Sequence, residues 1–284
     1  MKKTYQLLFV LLVFTSTAQA QKDKLLFPQT PGMVSYTYRN SFAKNVAATL
    51  DTIQGLGIKN MEFSNLFGKK ATDIKKLLDD RGMFCSSFGV SYPDAVNKTK
   101  EVGENAKALG ASFVRVAWIP HGTLFTIDSA KKAVEDFNKI GKQLKEEFGL
   151  TFCYHNHGYE FSSYENGTLY DYIVENTNPE YVSFELDILW AFFPGQNPVD
   201  ILKKHGSRIK LMHLKDLRKG IVGNASGGTD VQNDVALGTG QIDIPAVLKA
   251  AKKAKLLHYY IEDESPSYGT QVPITIAYLK GLKK

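Results

Sequence analysis

Short apolar runs alternate with amphipathic segments along most of the chain. Runs that read as strands lie at 33–38 (MVSYTY), 60–64 (NMEFS), 83–89 (MFCSSFG) and 113–119 (FVRVAWI). Four more lie at 151–157 (TFCYHNH), 182–187 (VSFELD), 210–215 (KLMHLK) and 258–263 (HYYIED). Between them, at 44–55, 71–81, 95–109, 129–147 and 245–255, apolar residues recur at three- and four-residue steps, the spacing of one helix face. Glycines at 55/57, 82, 110 and 149 sit where helices would end. Asp128-Ser129 and Asn197-Pro198 read as helix starts. Eight strand–helix alternations without a break in composition predict one α/β domain, a (β/α)8 TIM barrel. An open doubly wound sheet is the competing architecture, but no strand here feeds a G-x-G-x-x-G turn.

Polar residues gather at the ends of these apolar runs. Strand two carries Glu62, strand five ends in His155-Asn156-His157 with Glu160 beyond, and strand six ends in Glu185-Leu186-Asp187. Strand seven holds His213-Leu214-Lys215-Asp216, and strand eight ends in Glu262-Asp263-Glu264. Carboxylates and imidazoles that close buried strands are costly to desolvate unless paired or bound to a metal. In a barrel they converge on one mouth. A mixed carboxylate–imidazole set suits one divalent metal ion, Mn²⁺, Zn²⁺, Co²⁺ or Fe²⁺, better than Mg²⁺ or Ca²⁺. Trp118 and Trp190 are placed to stack on a sugar ring, with core packing as the competing role. Arg208 precedes strand seven and belongs to the opposite, structural end. The longest loop, 217–241, contains six glycines and follows strand seven, so it lies over the mouth as a lid or as a tolerated insertion.

The chain here resembles the xylose isomerase-like barrels of the sugar phosphate isomerase/epimerase type, a group related to the metal-dependent apurinic endonucleases. The stretches that carry the resemblance are YHNHGYEF (154–161), FELDILWAFFPGQNP (184–198), RIKLMHLKD (208–216), LGTGQIDIPAVLKAA (237–251) and YYIEDE (259–264). The resemblance implies four metal ligands at strand ends: a Glu from strand five, an Asp from six, a His from seven and a Glu from eight. Asp187, His213 and Glu262 match the last three. In the epimerases the first Glu lies three residues before an Asn, and counting back from Asn156 lands on Cys153. The chain is similar instead to a branch with H-N-H-x-x-E-F. There Glu160 is the preferred fourth ligand, with His155 as the alternative.

The implied chemistry is proton abstraction next to a metal-polarised carbonyl, giving isomerisation, epimerisation or loss of water from a keto-sugar or 3-keto-glycoside. Glu262 is the expected base, with His155 and Lys215 as further catalytic groups. Glu62, Trp118, Asn156, His157 and Trp190 are the expected substrate contacts. A non-catalytic carbohydrate-binding barrel, or a subunit whose partner completes the site, is the alternative. A nuclease would need more His and Asp ligands.

The remaining features bear on where the protein works. Lys2 and Lys3, the apolar run 5–14 and Ala18-Gln19-Ala20 read as an export signal cleaved after Ala20, which places the mature chain in the periplasm or outside the cell. The apolar run is too short for stable membrane insertion. Phosphorylated sugars are scarce there, which favours a free or oxidised sugar. Net charge is +6 and falls to about +4 without Lys2 and Lys3. The lysines are spread along helices as a solvated surface, which argues against nucleic acid as a partner. Small carbohydrates are the expected partners, and a homo-oligomer is compatible with the pattern. Cys85 and Cys153 fall on the third and fifth strands and are expected as free thiols.

Overall fold

A computed structural model describes residues 25–284. The proposed signal, residues 1–20, lies outside the described residues. Eight parallel strands close a barrel: β1 (Gly32–Val34), β2 (Asn60–Phe63), β3 (Phe84–Val90), β4 (Phe113–Val116), β5 (Thr151–His155), β6 (Val182–Asp187), β7 (Ile209–Leu214) and β8 (His258–Ile261). Around the closed sheet the order follows the chain, and β8 pairs with β1 in parallel. The principal helices are α1 (Val46–Gly55), α2 (Ala71–Asp79), α3 (Thr99–Leu109), α4 (Ile127–Phe148), α5 (Leu169–Asn176), α6 (Pro198–His205), α7 (Ile244–Ala254) and α8 (Tyr268–Gly281). Among the described residues no helix is long and apolar enough to cross a membrane.

The helices sit on the sheet through one apolar stripe each. On α4 that stripe is Ala130, Ala133, Phe137, Ile140 and Leu144, all buried. Phe137 meets Phe152 and Tyr154 of β5 at ring centroid distances of 5.0 and 4.9 Å. Burying one such ring stabilises the fold by about 1.5–3 kcal/mol. Gly110 and Gly149 end α3 and α4 in the left-handed region, φ 78° and 66°, as their positions predicted. Asn197 caps α6 through its side chain, with Pro198 in the first turn. The start of α4 differs from the expected Asp128-Ser129: Thr126 is the cap, its hydroxyl accepting from the Ser129 amide at 3.3 Å.

Several predicted strands end before their patterns do, the run 113–119 at Val116 and 151–157 at His155 among them, and two elements depart further. The run 33–38 is a strand only to Val34 and then turns into a 3-10 helix, Ser35–Tyr38. The hydroxyls in that turn account for it: Ser35 accepts from the Ser64 amide at 2.8 Å and Thr37 from the Asp263 amide at 3.0 Å. They tie the end of β1 to the exits of β2 and β8. The helix expected over 95–109 is broken at Lys98 into Tyr92–Asn97 and α3. Cys85 and Cys153 are buried free thiols on β3 and β5, with β4 between them.

Inside the barrel, Val34, Phe113, Cys153, Leu211 and Tyr260 form their own apolar cluster, separate from the larger core between sheet and helices. The Tyr260 hydroxyl is 2.6 Å from Ser86 Oγ, which in turn donates to Asn60 Oδ1. Gly32 lies opposite Tyr260, and a Cβ there would come within 2.6 Å of the ring and 3.0 Å of the Asn60 carbonyl. Gly32→Ala is therefore expected to destabilise the protein by about 1–3 kcal/mol through overpacking of the barrel interior, measured as a lower urea midpoint at unchanged slope. An unchanged midpoint would show that Tyr260 has room to move.

Candidate metal centre at the barrel mouth

Side chains alternate along a strand, so residues two apart share a face. The interior cluster therefore specifies what lies above it. Phe113 is followed at this spacing by Arg115, Cys153 by His155, Leu211 by His213 and Tyr260 by Glu262. Ser183, Glu185 and Asp187 follow the same rule on β6. The polar layer is almost closed to solvent: Glu62, Glu185 and Asp187 are 0 % exposed, and His155 and His213 are 2 % and 1 %.

Asp187 ends β6 and starts the short helix Ile188–Phe192. Its Oδ1 accepts from the Leu189 and Trp190 amides at 2.8 and 2.9 Å. Its Oδ2 is buried and has no hydrogen-bond partner among the described residues. Three groups face that oxygen from beyond hydrogen-bond range: His213 Nδ1 at 3.7 Å, His155 Nε2 at 3.8 Å and Lys215 Nζ at 3.9 Å. A buried carboxylate oxygen left without a donor is expensive. His155, Asp187 and His213 offer ligand atoms within 4.8 Å of one another, which fits a divalent ion. Glu262 Oε2 lies 3.1 Å from His213 Nδ1 and 3.3 Å from Lys215 Nζ. With a side chain 9 % exposed, it opens to the mouth more than these other members.

Beneath this set lie Arg115, Glu62 and Glu185, of which only Glu62 was singled out from sequence. The Arg115 guanidinium donates to Glu62 Oε1 at 2.8 and 3.1 Å and is 3.4 Å from Glu185 Oε2. Burial works to raise the Glu62 pKa, but Arg115 and His213 outweigh it and hold it at about 2. Burial and the nearby Glu62 push Glu185 well above the usual carboxylate range. Burial disfavours a charged imidazole, and with His213 and Arg115 nearby it keeps His155 neutral, well below its ordinary pKa. His213 goes the other way: against burial, the carboxylates of Glu185, Glu262 and Glu62 raise it far above normal. Negative charge is in surplus here, and His213 carries the response.

Lys215 is fully buried yet stays charged. Burial opposes its charge, but Asp234, Glu262, Glu264 and Asp187 together raise its pKa well above the usual value. Its Nζ donates to Glu264 Oε1 at 2.6 Å and sits 5.4 Å above the Trp190 ring. It is a fixed cation, not a base. Asp234 reaches this cluster because Asp234–Val235 pairs with Asp216–Leu217, anchoring both ends of the glycine-rich loop. No periodicity marked Asp234. Arg115 and Glu185 were legible as charged residues two places from an inward-facing neighbour.

The rim is aromatic. His157 stacks on Trp190 at 4.5 Å and meets the edge of Trp118 at 5.1 Å. Its Nδ1 is 2.9 Å from the Gly227 carbonyl of the loop. Trp118 lies past the end of β4 and is 42 % exposed. The expected substrate contacts thus separate. Trp118, His157 and Trp190 stand at the rim. Glu62 is sealed below it, and the Asn156 side chain is used on Asp187, accepting from its amide at 3.0 Å and donating to its carbonyl at 3.1 Å. Asn156 and Glu62 therefore hold the site in place and do not face the mouth. Behind the loop, the turn Leu237–Gln241 forms a nest of amides. Asp216 fills it, accepting from Gly238, Gly240, Ile242 and Leu217 at 2.9–3.1 Å. Arg208, as expected, is structural, donating to Val174, Thr177 and Val182.

Glu160 is not where the ligand reading needs it. Tyr154 points to the helix side of β5, opposite Cys153 and His155, and its hydroxyl donates to Glu160. The His157 and Gly158 amides bind the same carboxylate at 2.8–3.1 Å. The 3-10 turn Tyr159–Phe161 carries Glu160 to the outer face, and His155 stands in the ligand cluster in its place. Burial raises Glu160 from 4.5 to about 7, against the pull of these donors. A carboxyl whose pKa is raised by folding stabilises the fold fully below its unfolded value and loses that contribution as pH rises through about 7. The stability of wild type relative to Glu160→Gln is accordingly expected to fall by about 3 kcal/mol between pH 4.5 and 8 in urea titrations, whereas parallel curves would contradict the shift.

Comparison with known proteins agrees with this architecture. The family model described as a xylose isomerase-like TIM barrel matches residues 50–281. An inosose dehydratase of Bacillus cereus (strain AH820) is 35% identical over 186 residues, covering 58% of this chain and 61% of that protein. The chain thus spans about three-fifths of that relative's length. A crystal structure of a sugar phosphate isomerase/epimerase from Parabacteroides distasonis superimposes with a TM-score of 0.73 at 24% identity, covering 88% of this chain and 93% of the other. An IolI protein with a binding zinc atom superimposes with a TM-score of 0.70 at 16% identity, covering 89% and 96%. With the closed parallel barrel and a family match over most of its length, the chain belongs to the xylose isomerase-like TIM barrel family.

Proposed function

We propose that this protein is a metal-dependent lyase that removes water from an unphosphorylated keto-carbohydrate, beginning with proton abstraction beside the carbonyl. The observation that carries the reading is the partnerless Asp187 Oδ2, faced by two imidazoles with Glu262 and Lys215 alongside. Asp187, His213, His155 and Glu262 would hold the ion, and a divalent ion there would act as a Lewis acid on the substrate carbonyl.

The protein's own groups supply the proton movements. Lys215 and His213 keep Glu262 ionised, well below its usual pKa despite burial. The carboxylate takes the proton from the carbon next to the carbonyl, and the electron pair moves toward the carbonyl oxygen. Lys215 adds a fixed positive charge at that end of the site. Glu262 then returns its proton to the hydroxyl on the next carbon. The C–O bond breaks, water leaves and an enone remains. One carboxylate suffices for this sequence. Epimerisation needs acid and base on opposite faces, and the strand-five position that would supply the second carboxylate is Cys153, buried inside the barrel. Trp118, His157 and Trp190 offer flat faces to a sugar or cyclitol ring. The dehydratase name of the Bacillus cereus relative supports the same outcome.

Charge supports an unphosphorylated substrate. TIM barrels frequently bind phosphate on the loops after strands seven and eight. Here Asp216 fills the amide nest after β7, and four carboxylates surround Lys215. We also place the protein outside the cytoplasm, on the pattern of residues 1–20.

Metal-loaded protein with a panel of keto-sugars, 3-keto-glycosides and keto-cyclitols in D₂O is expected to exchange a C–H proton and form a conjugated enone, followed by NMR. Chelation should stop both, and Glu262→Gln should slow them by at least about 10²-fold. Binding without exchange would return the site to a carbohydrate-binding barrel. Equal turnover of a phosphorylated sugar would contradict the substrate class.

A further inference from the structure

The two imidazoles of the mouth turn opposite ring nitrogens toward Asp187: His155 its Nε2 and His213 its Nδ1. Their rings are 4.5 Å apart and inclined by 59°. Neither choice is set by the chemistry of histidine, which binds metals through either nitrogen. It is set from below. Glu185 Oε2 is hydrogen-bonded to His155 Nδ1 at 3.3 Å and lies 3.2 Å from His213 Nε2, whose own hydrogen bond goes to Glu62 Oε1 at 2.9 Å.

We propose that Glu185 and Glu62 are positioning residues that fix which nitrogen each imidazole gives to the ion, Nε2 from His155 through Glu185 and Nδ1 from His213 through Glu62, with Arg115 holding both glutamates in place. The proposal rests on the metal-site reading above. A rear nitrogen bonded to a buried glutamate would carry the hydrogen when an ion is bound, leaving the front lone pair for the ion. The front nitrogen of His213 faces Glu262 Oε2 at 3.1 Å and Asp187 Oδ2 at 3.7 Å, the other residues that would hold it. Solvent does not substitute for the carboxylate, because both glutamates are fully buried. β6 supplies clamp and ligand together: Glu185 and Asp187 are two apart and share the inner face.

The support beneath the clamp is equally specific. Arg115 bridges Glu62 and Glu185 and cancels part of their repulsion. It reaches them because residue 89 of β3 is glycine: a Cβ there would stand 2.8 Å from Arg115 Nη2 and 2.9 Å from Cζ. The next strand thus keeps a side-chain-sized gap for the guanidinium that holds the clamp.

Protein with ¹⁵N-labelled histidine, loaded with Zn²⁺, tests this by long-range ¹H–¹⁵N spectra of the imidazoles. The expected pattern is metal on Nε2 and hydrogen on Nδ1 for His155, and the reverse for His213. Metal on the same nitrogen of both rings, or the opposite assignment, overturns the proposal. A glutamine at 185 replaces one accepting oxygen with an amide donor, so Glu185→Gln should weaken Zn²⁺ binding about 10- to 100-fold in competition with a chelating dye. It should also mix the nitrogen pattern, and Glu185→Asp should recover part of the affinity. Glu62→Gln should disturb His213 alone, which keeps the question open to test if the 185 variant does not fold. Unchanged affinity and spectra in a folded Glu185→Gln overturn the positioning role but leave the metal site standing. Wild type that takes up no Zn²⁺ removes the metal-site reading itself.

Discussion

The mouth of this barrel depends on balancing buried negative charge. Glu62, Glu185, Asp187, Asp234, Glu262 and Glu264 crowd around two fixed cations, Arg115 and Lys215. Ionised carboxylates in a protein interior are tolerated only when paired, bonded or bound to metal. Against burial, Arg115 and His213 hold Glu62 ionised, burial and Glu62 raise the pKa of Glu185 instead, and Lys215 gathers the outer acids. Glu62 Oε2, Glu185 Oε1 and Asp187 Oδ2 are left without a donor among the described residues, and Asp187 Oδ2 has two imidazoles turned toward it. The raised His213 pKa is the same surplus expressed as a proton. A divalent ion held by Asp187, His155, His213 and Glu262 would offset that surplus in place of the proton.

The barrel makes this concentration stable by stacking it on an apolar plug. Val34, Phe113, Cys153, Leu211 and Tyr260 fill the interior below, and alternation along four of the same strands lifts a polar residue, Arg115, His155, His213 or Glu262, directly above. The polar layer is therefore dry on its lower side and opens only toward the rim, where Glu262 is more accessible than Asp187, His155 and His213. The same dryness strengthens every electrostatic interaction in the site. Asp216 plays a related part on the loop side, satisfying an amide nest that would otherwise attract an anion.

Much of this was legible in the chain because strand alternation is a short-range rule. The eight alternations yielded the barrel. Asp187, His213 and Glu262 could be singled out because each closes an apolar run. Residues beyond strand ends escaped that rule. Glu160 follows β5 by five residues, and the 3-10 turn sends it to the outer face where Tyr154 and two amides take its carboxylate. The H-N-H segment itself separates by parity, with His155 inward and Asn156 sideways onto the Asp187 backbone. Asp234 was hidden because a loop pairing, Asp234–Val235 with Asp216–Leu217, brings it to Lys215 from nineteen residues away in number only after folding. At β1 the alternation of MVSYTY outlasted the strand, since the Ser35 and Thr37 hydroxyls favour a turn that locks the neighbouring strands.

The most direct measurement is anomalous diffraction from crystals equilibrated with Zn²⁺ or Mn²⁺. A single strong peak within about 2.0–2.2 Å of Asp187 Oδ2, His155 Nε2 and His213 Nδ1 is the predicted result. No peak at saturating metal, or a peak whose ligands exclude Asp187, would contradict the account.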